Sequence, residues 1–267
     1  MQNPARSDGK STSTVQFIPV VIDREIAAGD DLADLLLADL QEPLAPGDVV
    51  IVTHKAVAKA EGRLIKLSDV VPSSLAEEYA KESGKDPRFV ELILRESSAI
   101  VRMNQYSIIV KTKQGPTCAN AGIDFSNLGT VDNPESCSKE PTACLLPKDP
   151  DLSAQRLYNS LQARCGFAVP VIVSDSFGRP WREGIVNFAI GSCGLDPFTD
   201  YRGQTDSAGR TLKVTRMASA DALAAGAELA CGKLKRAPFV IVRGFEWQPS
   251  TLTARALIRP DDRNLFP

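Results

Sequence analysis

Apolar residues recur along this chain with two different periods. Short continuous runs stand at 16–22, 47–53 (GDVVIVT), 107–113, 168–174 (AVPVIVS) and 238–243 (PFVIVR). Bounded by proline, glycine or polar residues, such runs predict buried strands. Between them the spacing turns helical. Asp30 and Asp31 offer an N-cap to Leu32, Leu35, Leu36 and Leu40, an i, i+3, i+4, i+8 stripe. Residues 74–83 predict a second helix. Asp86-Pro87, a cap followed by proline at the first helical position, opens a third with Phe89, Leu92, Ile93 and Ile100 inward. Asp151 starts a fourth through Leu152, Leu157 and Leu161, and Ser219 or Asp221 caps an alanine-rich fifth reaching about Cys231.

These elements do not alternate strictly, so the predicted class is α+β. One main domain is expected over 15–247, after a disordered tail at 1–14. Residues 128–147, proline-bearing and without periodicity, read as a loop insertion. The polar stretch 248–267 reads as a loosely packed C-terminal extension.

Charge narrows the choice of partners. Lys plus Arg number 31 against 33 Asp plus Glu, a net charge of −2, whereas a protein that neutralises a phosphate backbone is strongly basic. No nucleic-acid partner is expected. The apolar runs are too short for a bilayer span, and the N-terminus is polar without a secretory pattern, so no membrane partner and a cytoplasmic location are expected. His54 is the sole histidine, which excludes zinc sites built on two or three of them. Chemistry here must rest on carboxylates, lysines, arginines and backbone, a set suited to hard cations and phosphates. The six cysteines show no C-x-x-C spacing and read as reduced hydrophobes, with Cys137 and Cys144 as an alternative loop pair.

Three segments place polar residues just after apolar runs, where α/β proteins carry their sites. His54-Lys55 with Lys59 follows the run at 47–53 and can meet a phosphate or simply begin a solvated helix. Asn120 to Asn127 (NAGIDFSN) strings amides, a glycine and a carboxylate over a turn, which Asx residues also close without any function. The strongest is 171–182 (VIVSDSFGRPWR). Asp175 at the end of an apolar strand loses hydration and favours a compensating cation, Ser176 adds an oxygen, and Arg179 and Arg182 can face one anion. A structural Asp–Arg pair is the alternative.

Residues 226–234 (GAELACGKL) imitate a P-loop, but the spacing is one residue long, no Ser or Thr follows the lysine, and the segment ends a helix. No G-x-G-x-x-G follows a strand. Two carboxylates about 4 Å apart repel by roughly 1 kcal/mol in water and about 4 kcal/mol at an effective dielectric of 20. A divalent cation between Asp124 and Asp175 reverses that sign and admits polyphosphate oxygens. The residues thus favour metal-assisted phosphate chemistry.

The same segments resemble the coenzyme F420-0 gamma-glutamyl ligase family, through GDVVIVTHKAVAKAEGR (47–63), NAGIDFSN (120–127), LLPKDPDLSAQRL (145–157) and VIVSDSFGRPWREG (171–184). The likeness continues through 187–215, 220–233 and 238–244. It implies a two-part, V-shaped subunit with mixed sheets and neither P-loop nor Rossmann motif, acting as a homodimer. It implies a GTP-dependent ligase that adds L-glutamate to a carboxylate of a deazaflavin precursor through an acyl phosphate. Magnesium or manganese is the implied metal, with a monovalent cation as a further candidate.

By position, the resemblance makes Asp124 and Asp175 metal ligands and puts Ser176 at a second-metal position. Asp175 and Lys59 become the catalytic pair. Glu25, Ile26, His54, Lys55, Lys59, Asn127, Cys231, Gly232 and Lys233 become nucleotide contacts. Arg179, Arg182 and Arg202 are candidates for substrate anions on charge alone. Three departures stand out: Lys233 replaces a Glu or Gln common in relatives, the loop after Asn127 is long, and His54-Lys55 stands where small hydroxyl residues are frequent. A different acceptor or amine, or a non-catalytic nucleotide-binding module, are the alternatives.

Overall fold

The computed structural model describes residues 14–125 and 141–265. The expected tail at 1–14 falls almost wholly outside them, as do Asn127 and Cys137. The chain runs β1 (Gln16–Val20), α1 (Leu32–Ala38), β2 (Val49–Thr53), α2 (His54–Ala60), β3 (Leu64–Lys66), α3 (Ser74–Ser83), α4 (Pro87–Arg95), β4 (Ser97–Met103) and β5 (Ile108–Thr112). It continues with β6 (Thr117–Ala119), β7 (Thr142–Cys144), α5 (Pro150–Cys165), β8 (Val171–Arg179), β9 (Arg182–Cys193), β10 (Thr199–Asp200), β11 (Arg216–Met217), α6 (Ser219–Cys231) and β12 (Phe239–Arg243). Helices and mixed sheets make the fold α+β, as expected.

The principal sheet has the order β1-β12-β2-β8-β9. Only β2 and β8 pair in parallel; the other neighbours are antiparallel, which is no doubly wound Rossmann sheet. Its central strands are apolar on both faces because both faces are covered. Val50, Val52, Val171, Val173, Phe239 and Ile241 enter a core with α1 and α5, while Val49, Ile51, Ile172, Val240 and Val242 pack against α6. A third core gathers Val90, Leu92, Ile93, Ile108, Val110 and Leu145 beneath the smaller sheet β4-β5-β6, giving the molecule its second part.

Local capping sets the helix starts. Asp31 accepts from the Ala33 and Asp34 amides, and Asp86 from Arg88 with Pro87 at the first turn, as the sequence predicts. Elsewhere the outcome differs. Asp149 caps α5 in place of Asp151. Asp151 instead accepts from Ser192 N and Thr253 Oγ1, tying α5 to β9 and to the C-terminal segment. The α6 N-cap is Ala218, and Asp221 accepts from Ala189 N. Ile100 lies on β4 and is half exposed, because α4 stops at Arg95.

Residues 128–140 of the expected loop insertion lie outside the described residues, and two neighbouring stretches are more ordered than the sequence suggests. Within 128–147, residues Thr142–Cys144 pair with β3 and Leu145 and Leu146 are fully buried. The stretch after Gln248 also packs back: Asp196 N donates to Gln248 O, Ala254 is buried, and Lys111 pairs with Asp261 at 2.8 Å. Among the described residues no helix is long and apolar enough to cross a membrane.

Candidate active site

A cavity of about 680 Å³ opens where β2 and β8 run side by side. The parallel register sets Thr53 against Ser174, so the next residue of each strand, His54 and Asp175, enters the cavity as a neighbouring pair. His54 Nε2 lies 3.2 Å from Asp175 Oδ1. Burial pushes Asp175 above the usual carboxylate range, opposed by His54, and pushes His54 below its ordinary value against the pull of Asp175. A neutral imidazole donating from Nε2 fits both directions. His54 Nδ1 is buried without a hydrogen-bond partner among the described residues.

Helix α2 starts at His54 and presents Lys55 and Lys59, one turn apart, to the same cavity. Lys55 Nζ is 2.7 Å from Asp124 Oδ2, and Lys59 Nζ is 2.8 Å from Glu25 Oε1. Asp124 reaches the site from the NAGID turn. Asn120, Ala121 and Gly122 all take positive φ there, near 54°, 55° and 68°. Asp124 then exchanges backbone hydrogen bonds with Cys144 of β7. Left-handed Asn and Ala are uncommon, and such backbone clusters at functional sites.

The third wall comes from β8, β9 and α6. Ser176 Oγ donates to Asn187 Oδ1 at 2.5 Å, and Asn187 N donates to Glu228 Oε2 at 2.9 Å. Lys233 Nζ donates to Ser176 Oγ at 2.5 Å and lies 2.9 Å from Glu228 Oε1. Buried Cys231 and exposed Gly232 precede it on the cavity wall. Gly232, at φ 56° and ψ −165°, turns the chain there.

Glu25, Ile26, His54, Lys55, Lys59, Asp124, Asp175, Ser176, Cys231, Gly232 and Lys233 therefore all border one cavity. Asn127 lies outside the described residues. The three arginines do not line it. Arg179 and Arg182 face each other across a hairpin instead of sharing a helix face; Arg182 is exposed and Arg179 borders a second cavity of about 560 Å³. Arg202 is engaged with Asp200, whose carboxyl that guanidinium holds down to about 2.

Sequence reasoning missed Asn187 and Glu228. Asn187 is the register partner of Ser176, so recognising the hairpin would have found it. Glu228 lies within the GAELACGKL stretch, whose carboxylate, not its glycines, reaches the site.

As a cation site, the Asp124 and Asp175 carboxylates form a hard oxygen donor pair. Among the described residues no group of three or more His, Cys, Asp and Glu side chains converges. Two carboxylates are the type of oxygen donor that magnesium or manganese takes, ions that keep positions for water and phosphate oxygens. Burial of Asp175 favours a compensating positive charge beside it.

The family model for F420-0:Gamma-glutamyl ligase matches residues 21–244. The "Coenzyme F420:L-glutamate ligase" of Methanopyrus kandleri is 42% identical, over 95% of this chain and 98% of that protein. The protein of the same name from Methanothermobacter thermautotrophicus is 41% identical over 97% and 99%. That of Methanocaldococcus jannaschii is 38% identical over 85% and 87%. The matched span contains all the cavity residues named above, and the chain belongs to the F420-0:gamma-glutamyl ligase family.

Proposed function

We propose that this chain is a GTP-dependent ligase that joins the amine of L-glutamate to a carboxylate of the deazaflavin precursor coenzyme F420-0, working as a homodimer. The names of its relatives support glutamate transfer in this pathway. The observation that carries the reading is the pairing of two carboxylates, Asp124 and Asp175, with two lysines, Lys55 and Lys59, around a single cavity. That arrangement suits a triphosphate approaching an acidic site.

A carboxylate at neutral pH is a poor electrophile. Its oxygen attacks the γ-phosphorus of GTP, the bond to the β-phosphate oxygen breaks, and GDP leaves with that electron pair. The neutral glutamate amine then attacks the carbonyl carbon of the acyl phosphate, inorganic phosphate departs, and the nitrogen gives up a proton as the amide forms. Positioning and charge compensation dominate such transfers. Lys59 and Lys55 hold phosphate oxygens, Glu25 orients Lys59, and His54 fixes the direction of the Asp175 carboxylate. Asp124 and Asp175 would hold magnesium or manganese, which would supply positive charge to the phosphates.

Incubation with GTP, L-glutamate, the precursor and magnesium tests the reading. Equal amounts of GDP and of a product heavier by one glutamyl unit are expected. GDP without that product removes the acceptor, and neither product removes the ligase assignment.

A further inference from the structure

Two oxygen clusters share the cavity. The Asp124 and Asp175 carboxylates form one. The other, one residue further along β8, comprises Ser176 Oγ, Asn187 Oδ1 and the Glu228 carboxylate, contributed by three separate elements. A hydroxyl, an amide oxygen and a carboxylate are the donor set of a hard cation. Here a cation is already supplied by the chain: the Lys233 ammonium, 2.5 Å from Ser176 Oγ and 2.9 Å from Glu228 Oε1. Gly232, with its left-handed φ, precedes it and lets the lysine fold back over the end of α6.

We propose that Lys233 is a built-in cation that takes the place of a second metal ion, so that this chain holds one divalent ion per site. A metal ion bound to Ser176 Oγ would have to share that oxygen's surroundings with a fixed positive charge, so the cluster does not fit a second divalent ion while Lys233 is in place. An ammonium cannot be removed by chelation and offers three donors, two of which the cluster takes at these distances. Its positive charge borders the same cavity as Lys55 and Lys59, where a phosphate group would meet it. The inference rests on the nucleotide-dependent reading above, because a second positive charge in the cavity serves the reaction only where a polyphosphate binds.

Equilibrium dialysis with manganese and GDP, read by the EPR signal of free manganese, counts bound ions in the full chain. Wild type is expected to bind a single ion. Lys233→Ala and Lys233→Gln, with folding checked by circular dichroism, are expected to bind a second, and adding Glu228→Gln to Lys233→Ala should abolish that gain. Two ions in wild type, or an unchanged count in both folded variants, overturns the role of Lys233. If wild type binds GDP and one ion but makes no glutamyl product, the ligase reading fails while the Lys233 assignment stands. Failure to bind either GDP or manganese overturns both.

Discussion

His54 Nε2 and Asp175 Oδ1, 3.2 Å apart, are neighbours because their strands are. The parallel register that sets Thr53 beside Ser174 delivers the next residue of each strand to the same place, and burial makes the resulting carboxylate costly to charge without a cation. Asp175→Asn keeps the shape and removes the charge. Turnover is expected to fall on the order of 100- to 1000-fold, the scale for losing one preorganised electrostatic contact, with an unchanged melting temperature or a higher one. Product mass spectrometry and a thermal melt check both parts, and full activity in the variant would remove Asp175 from the centre.

Lys59 is held by Glu25 at 2.8 Å, and a charge-assisted contact to phosphate is worth about 1.5–3 kcal/mol. Lys59→Met should therefore weaken GTP binding roughly 10- to 100-fold, measured by calorimetry. Glu25→Gln, which leaves the lysine in place but loosens it, should cost less. Equal losses would mean that Glu25 contacts the nucleotide itself.

Gly191 lies where β9 passes the first residue of α5. A Cβ there would stand 2.3 Å from the Pro150 carbonyl group, and backbone on both sides leaves no room to relax. Gly191→Ala is expected to destabilise the fold by about 1–3 kcal/mol. Urea unfolding measures it, and an unchanged midpoint would show that α5 can shift away from the sheet.

Asp221 is pushed above the usual carboxylate range by burial, with the Ala189 amide pulling the other way. A raised carboxyl contributes stability that is complete below its unfolded value of 3.8 and is lost as pH rises through the folded value. Asp221→Asn does not titrate. The stability of the variant relative to wild type should therefore grow as pH rises from about 4 to 7. A pH-independent difference would mean that the Asp221 carboxyl pays no burial penalty.

Much of this architecture was legible where burial was complete. The runs at 47–53, 168–174 and 238–243 stood out because β2, β8 and β12 pack on both faces. Asp31 and Asp86 marked their helices because their caps are local. What stayed hidden was long-range or locally unusual. Strand β4 is largely exposed and carries no burial pattern, and β7 finds its partner in β3, far back in the sequence. The β8–β9 hairpin turns through Trp181 at φ 56°, a left-handed tryptophan in place of the Asn-Gly that signals such turns. Missing that hairpin put Arg179 and Arg182 on a common face and left Asn187 unnoticed. Lys55, Lys59 and Asp124 were visible because each lies close to a strand end or turn, or one helical turn beyond, and Asp175 because it follows the fully buried run 171–174, although β8 itself continues to Arg179.

The lone parallel pairing of β2 with β8 also bears on how this scaffold can diversify. The segments that join the elements are not all free to lengthen, because Glu25, Asp124 and Lys233 lie on them and border the cavity. A single residue inserted within either strand would exchange its inward and outward side chains and carry His54 and Asp175 out of step with each other. Changes of length in this scaffold are therefore expected at connections that carry no cavity residue, with the lengths of those two strands kept fixed.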